Sequence, residues 1–151
     1  MALEVDLMRG RWILLAGTLL ACEPPPLAEE PTIRLLYPPP DVGEIPLVET
    51  PEGPVLETLV VVSIEGFLFV PFDPEDPILE DVPGEGHWHL YVNNAFEGPQ
   101  MREFSEYRSQ PGDFAPGQAV QLQVILASHT HREIDDAQAQ VEFHVGDPVT
   151  E

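Results

Sequence analysis

Apolar and polar residues alternate with a period of two along much of this chain, and no segment shows a persuasive 3.6-residue period. Thr32 to Tyr37 (TIRLLY) reads as a first strand, ended by the triplet Pro38-Pro39-Pro40. Glu57 to Ile64 (ETLVVVSI) is rich in β-branched residues, and after a break at Gly66 the run Phe67 to Phe72 (FLFVPF) continues it past a bulge. His87 to Asn93 (HWHLYVN), Ala119 to Ala127 and Ala139 to Val145 (AQVEFHV) alternate clearly, and Gln100 to Tyr107 has room for one or two short strands. Between them, residues 41–54 read as a loop with little regular structure, Asp73 to Gly86 as an acidic Pro/Gly-rich loop, and Gln110 to Gln118 as turns. The expected fold class is all-β: a single antiparallel, loosely immunoglobulin-like β-sandwich of about seven strands.

The same period sorts side chains by face. Trp88, Leu90 and Val92 share one face of their strand, and Trp88 is the expected centre of the core. Val120, Leu122, Val124 and Leu126 point inward from the next strand, and Val141, Phe143 and Val145 from the last. The opposite faces carry His87, His89, Tyr91 and Asn93, then Gln121, Gln123 and Ile125, then Gln140, Glu142 and His144. Continuing the period past residue 127 places His129 and His131 on that outward side.

Composition supports this picture and excludes some functions. The 18 prolines and 11 glycines disfavour a helical bundle, and 43% apolar residues suffice for one modest core. The chain has no lysine, and its formal net charge is −21. With no basic patch to displace phosphate counterions, nucleic acid is not an expected partner. An anionic membrane surface would repel the domain for the same reason.

The first 22 residues read as an address. Arg9 and Arg11 form a positive flank, and Trp12 to Ala21 (WILLAGTLLA) is an apolar run of signal-peptide length, short for a bilayer span. It ends in Leu19-Leu20-Ala21-Cys22, which resembles the bacterial lipobox. That resemblance implies a diacylated Cys22 as the mature N-terminus, and Met8 gives a cleaner start than Met1. Two or more acyl chains hold a protein stably on a bilayer. The expected placement is therefore extracytoplasmic and membrane-anchored, and Glu23 rather than aspartate after the cysteine favours the outer membrane. The expected organisation is a signal peptide over 1–21, a stiff Pro-rich acidic tether over 22–31, a β domain over 32–147 and a tail over 148–151.

Histidine is the one chemical lead. His87-x-His89 and His129-x-His131 are each spaced to aim two imidazoles the same way from a strand, with Cβ atoms roughly 7 Å apart. In an immunoglobulin-like sheet the strands carrying these pairs and His144 are neighbours. His87, His89, His129, His131 and His144 are thus candidate ligands for a transition metal, copper or zinc foremost, with Glu85, Glu133 and Asp135 as supporting carboxylates. The bland alternative is a set of solvated or strand-pinning histidines. The acidic loop offers a weaker calcium candidate in Asp73, Asp76, Glu80 and Asp81, without the spacing of a calcium-binding helix–loop–helix motif.

The stretch Gly86-His87-Trp88-His89-Leu90-Tyr91-Val92-Asn93, with Pro116-Gly117-Gln118 and then Val120-x-Leu122-x-Val124-x-Leu126-x-x-His129, resembles a group of uncharacterised bacterial secreted and lipoprotein domains. Those share a G-H-x-H strand and a later P-G strand ending near a histidine. Asn93 stands where many of them have aspartate, and Gln118 near where histidine is frequent. The resemblance spans roughly residues 60–146 and implies a small β-sandwich rather than an activity.

Other chemistries find little support. Ser63, Ser105, Ser109 and Ser128 lie in no nucleophile elbow, and no phosphate-binding glycine loop is present. The expected function is a non-catalytic binding or accessory module of the cell envelope, with a metal bound by paired histidines. A structural lipoprotein that contacts another envelope protein without metal is the alternative, and a metal-dependent enzyme the third reading.

Overall fold

A computed structural model describes residues 30–70 and 81–150 of the chain. The expected signal peptide, Cys22 and nearly all of the tether lie outside the described residues, as do Asp73, Asp76 and Glu80. The described residues are all-β. They form nine strands: β1 (Thr32–Tyr37), β2 (Glu44–Val48), β3 (Val55–Glu65), β4 (Leu68–Phe69), β5 (Glu85–Val92), β6 (Ala95–Gln100), β7 (Phe104–Arg108), β8 (Ala119–Ser128) and β9 (Glu133–Val149). Among them no helix is long and apolar enough to cross a membrane.

The strands make one curled sheet in the order β1-β3-β2-β9-β8-β5-β4, with β6 also on β5 and β7 also on β3. Strand β3 bends the sheet round on itself. Its first residues, Val55 and Leu56, pair with β2, while Glu57 to Glu65 pair with β1 and β7. The core fills the space inside the curl. Ile33 and Leu35 of β1 and Val60 and Val62 of β3 are buried in one cluster with Trp88, Leu90, Leu122, Val124, Val141 and Phe143. Trp88 is fully buried, and its indole N–H donates to the Arg102 carbonyl at 2.7 Å, so its one polar atom is satisfied.

The expected antiparallel immunoglobulin-like sandwich is corrected here. The sheet is mixed, because β2 runs parallel to β9 and β4 parallel to β5. Residues 41–54 are not all loop. Ile45 and Leu47 alternate inward from β2, which tolerates Pro46 opposite Gly146 on a short strand. Strand β6, largely absent from the sequence expectation, folds back from β5 through Asn93 and Asn94. Both have positive φ (48° and 64°), as a two-residue hairpin turn requires. Strand β9 starts earlier than expected and runs to Val149.

A bulge in β9 matters for the site. Ile125 of β8 opposes Gln138, but Ala127 opposes Glu133, so two steps along β8 span five along β9. The extra residues loop out, and Glu133 returns to the ladder beside Ala127, which itself faces His87.

Candidate metal centre

The inward faces are those the alternation predicts, but the opposite face of β5 is not open to water. His87 is 1% exposed and His89 4%. Among the described residues, three neighbours contribute to the burial. Phe96 of β6 meets the His89 ring edge-on, with centroids 4.9 Å apart. Ala127, directly across the ladder from His87, is small enough to leave room for an imidazole. The turn joining β8 to β9 then folds back over the sheet and carries His131 with it.

Gly86 fixes where this arrangement starts. A Cβ there would stand 2.1 Å from the Ala127 carbonyl oxygen, and its φ of +154° suits glycine. Strands β5 and β8 can approach at this point only because residue 86 lacks a side chain. The approach sets the height of His87 over Ala127.

The β8–β9 turn is tight. His131 N–H donates to the Ser128 carbonyl at 3.0 Å, and Ser128 N–H to the Arg132 carbonyl at 2.9 Å. His131 takes a φ of +62°, a left-handed conformation uncommon outside glycine. Asp81 clamps the turn from outside. Its carboxylate accepts Thr130 N–H at 3.0 Å and the Thr130 hydroxyl at 2.8 Å. Bonds from Ser128 and then Thr130 hold the Asp81 carboxyl below its ordinary value.

Three imidazole nitrogens converge as a result. Nε2 of His87 lies 3.0 Å from Nε2 of His89 and 3.3 Å from Nδ1 of His131, and the latter two are 3.2 Å apart. These three residues form a group that could hold a metal ion. Burial pushes the His87 imidazole down to about 4, helped by the neighbouring His131, His89 and His129 rings. His131 is lowered by burial and then by His89. The ring nitrogens of His87 and His131 are therefore neutral at pH 7, as metal ligands must be.

The three nitrogens cannot alternate donor with acceptor all the way round. Each nitrogen is either N–H or lone pair, so at least two of the three are of the same kind and repel one another. One cation facing three lone pairs removes that conflict.

Glu133 orients one of the three imidazoles. Its Oε1 accepts from His89 Nδ1 at 2.9 Å and from the Tyr91 hydroxyl at 2.5 Å. An ionised carboxylate only accepts, so His89 carries its proton on Nδ1 and presents the Nε2 lone pair to the triangle. The bonds from Tyr91 and then His89 keep Glu133 below its ordinary value, and the same carboxylate raises Tyr91 to about 12.

The other candidates divide. His129 is buried (7% exposed) and stands beside His87, but its Nε2 faces Glu85 Oε2 at 3.5 Å, outside the three-nitrogen group. His144 is exposed at the other end of β8–β9, opposite Ala119, roughly 26 Å along the strand from Ala127 at 3.3 Å per residue. It does not join the cluster. Asp135 is exposed in the β9 bulge. Asp81, a calcium candidate, serves as the turn clamp instead. Tyr91 and Phe96 were not singled out from sequence, although Tyr91 shares the His87/His89 face by period two. The chain significantly matches no protein-family model, no curated protein and no solved structure.

Proposed function

We propose that this protein is a lipid-anchored, extracytoplasmic β-domain that binds zinc through His87, His89 and His131, as a binding rather than catalytic module. One observation carries the metal reading: the near-equilateral nitrogen triangle with edges of 3.0, 3.2 and 3.3 Å. Zinc–nitrogen bonds of about 2.0–2.1 Å put neighbouring nitrogens of a tetrahedral site about 3.3 Å apart. A square-planar copper(II) site asks for two adjacent edges near 2.8 Å and a trans edge near 4.0 Å, taking a Cu–N bond of about 2.0 Å. No edge here is that long, which favours zinc over copper(II).

The Glu133–His89 pair adds support, because metal-bound histidines commonly give their second N–H to a carboxylate. The anchoring part of the reading rests on Arg9, Arg11, the apolar run Trp12–Ala21 and Cys22. The outer membrane is favoured by Glu23 after the cysteine.

Calorimetric titration of the full-length chain with zinc tests the site. One-to-one binding that disappears in His87→Ala and His89→Ala is the expected result, together with the intense visible bands of a tetrahedral ion on cobalt(II) substitution. Heats no larger than those of the double variant would refute it. Anchoring has a separate test: Cys22→Ser abolishes acyl labelling and releases the protein from membranes, and retention of the label would refute the lipid.

The alternative of a partner-contacting envelope protein draws on one feature. Leu36, Leu59 and Phe104 are exposed on the outer side of the β7-β3-β1 arm. Loss of a copurifying envelope protein on Leu59→Asp, with zinc affinity unchanged, would favour that reading.

A further inference from the structure

The β7-β3-β1 arm is apolar on both of its faces. Ile33 and Leu35 of β1, Val60 and Val62 of β3 and Tyr107 of β7 point inward and belong to the core. On the outer face Tyr37, Val61 and Phe104 stand in register across the three strands, and Leu59 is the neighbouring outward residue of β3. A register shift between Leu35 and Tyr37 turns two consecutive β1 residues, Leu36 and Tyr37, outward. Leu36, Tyr37, Leu59 and Phe104 are 42–56% exposed. The sequence carries the same signal. Leu59-Val60-Val61-Val62 is an unbroken apolar run, the pattern of a strand covered on both faces rather than of one with a solvated side.

An exposed apolar patch of this kind marks a contact surface. Two observations identify what it meets. The first is position. The β domain begins at Thr32 of β1, ten residues after Cys22. Proline-rich chain at about 3.1 Å per residue gives that segment a reach of about 31 Å. Tyr37 lies five residues along β1, roughly 17 Å from Thr32 at 3.3 Å per residue. A lipid on Cys22 therefore keeps the patch within reach of the same bilayer, and even a weak contact becomes intramolecular. The second is charge. Three of the four arginines after Cys22, namely Arg34, Arg102 and Arg108, lie on this arm or in the turn leading into it. They face Glu57, Glu65, Glu103 and Glu106, one net negative charge in a chain of −21. Exposed Tyr37 and Phe104 beside arginines suit the headgroup zone of a zwitterionic bilayer, where the rings enter and the guanidinium groups meet phosphate.

We propose that the outer face of the β7-β3-β1 arm rests on the zwitterionic lipid surface that holds Cys22. This rests on the lipid-anchor reading above. Trp88 and Leu90 pack inward from β5 against Val60 and Val62 in one core, and His87 and His89 occupy the other face of β5. The histidine triad is thereby turned away from the bilayer.

The test uses the acylated full-length chain in vesicles of palmitoyl-oleoyl phosphatidylcholine. Acylation occupies the chain's one cysteine, so a thiol introduced as Ser63→Cys, beside the apolar row, takes a single nitrobenzoxadiazole label. Gln140→Cys, at an exposed position of β9, is the control. Replacing part of the lipid by brominated phosphatidylcholine is expected to quench the label at position 63 at least twofold and to leave the label at position 140 unchanged. Leu59→Asp and Phe104→Ser are each expected to bring quenching at position 63 down to the level at 140, with melting curves still cooperative. Three results would overturn the proposal: equal quenching at the two positions, unchanged quenching in both variants, or a label at 63 that is shielded from aqueous iodide yet untouched by brominated lipid, which assigns the face to a second copy or a protein partner. Each of these leaves the anchor standing, whereas absence of acyl label on Cys22 removes anchor and docking together.

Discussion

Replacing His131 by glycine separates what the turn does for the fold from what it does for the metal. The residue adopts a φ of +62°. Left-handed backbone costs a residue with a Cβ roughly 1–2 kcal/mol relative to glycine. Glycine's extra freedom in the unfolded chain offsets about 0.4–1 kcal/mol of that gain. The substitution also removes one of three mutually facing nitrogens, and with it the unavoidable like-pair contact. The hydrogen bonds of the turn are untouched, because His131 N–H to the Ser128 carbonyl and the Asp81–Thr130 clamp involve no His131 side-chain atom. Metal-free His131→Gly is therefore expected to equal the wild type or exceed it by up to about 1.6 kcal/mol.

Zinc reverses the order. At a free concentration 100 times the dissociation constant, binding adds about 2.7 kcal/mol to the wild type. In a domain of this size that raises the melting midpoint by roughly 8–12 °C. The variant, left with two ligands, is expected to gain less than a third of that. Far-UV circular dichroism melts of both proteins, with chelator and with excess zinc, read all four values. A metal-free variant weaker than wild type by more than about 2 kcal/mol would show that His131 pins the fold, beyond what strain relief allows. Equal zinc shifts in the two proteins would remove His131 from the site.

Three further outcomes follow from the same geometry. Gly86→Ala forces a Cβ to 2.1 Å from the Ala127 carbonyl oxygen; it is expected to cost about 2–4 kcal/mol in urea denaturation and to abolish zinc binding, since His87 moves with the strand. Glu133→Gln keeps an oxygen near His89 Nδ1 at 2.9 Å but loses the charge, and zinc affinity by calorimetry should fall roughly 10-fold, at the lower end of the 10- to 100-fold range for such partners. The metal-free protein should lose stability in mild acid. The His87 value is lowered to about 4 in the folded state from 6.5 unfolded, so its contribution is complete above 6.5 and drains away as the pH falls to 4. That loss amounts to at most about 3.4 kcal/mol, read by denaturation at a series of pH values; stability flat across that interval would contradict the buried, neutral His87.

Much of this was legible in the chain. Period-two alternation assigned Trp88, Leu90, Val92, Val120, Leu122, Val124, Leu126, Val141, Phe143 and Val145 to the core, and all are buried. The same arithmetic labelled His87 and His89 as outward. They are on that face, yet buried, because Phe96 and the β8–β9 turn cover them. Periodicity reports which face a side chain takes and is blind to what another strand lays over it. The parallel pairing of β2 with β9 was illegible for a related reason: Pro46 demotes its segment as a strand, and no local signal names a partner at least 100 residues away. His144 went astray through topology. The expected strand neighbours are real, since β5, β8 and β9 adjoin, but His144 lies opposite Ala119, at the end of β8 away from His87.

The triad itself shows why one H-x-H pair is an incomplete signal and what completes it. Two histidines at i and i+2 on a strand start with Cβ atoms roughly 7 Å apart, and their rings must lean together for their nitrogens to meet at 3.0 Å. A third donor equidistant from both cannot come from the same strand, because its next residue on that face is two further positions away. It has to descend from an element crossing above the pair. Here the neighbouring strand ends at Ser128, one step past Ala127, the residue facing His87, and the chain reverses by Arg132. The short turn, with a left-handed residue at 131, returns His131 over the row it has just left. His129 comes one residue after Ser128 and stays beside Glu85, opposite which the ladder would continue. Which member of His129-x-His131 joins the nitrogen triangle is thus decided by where β8 stops. The discriminating feature is the left-handed conformation at residue 131, uncommon outside glycine, within the turn that the Ser128 and Asp81–Thr130 bonds hold.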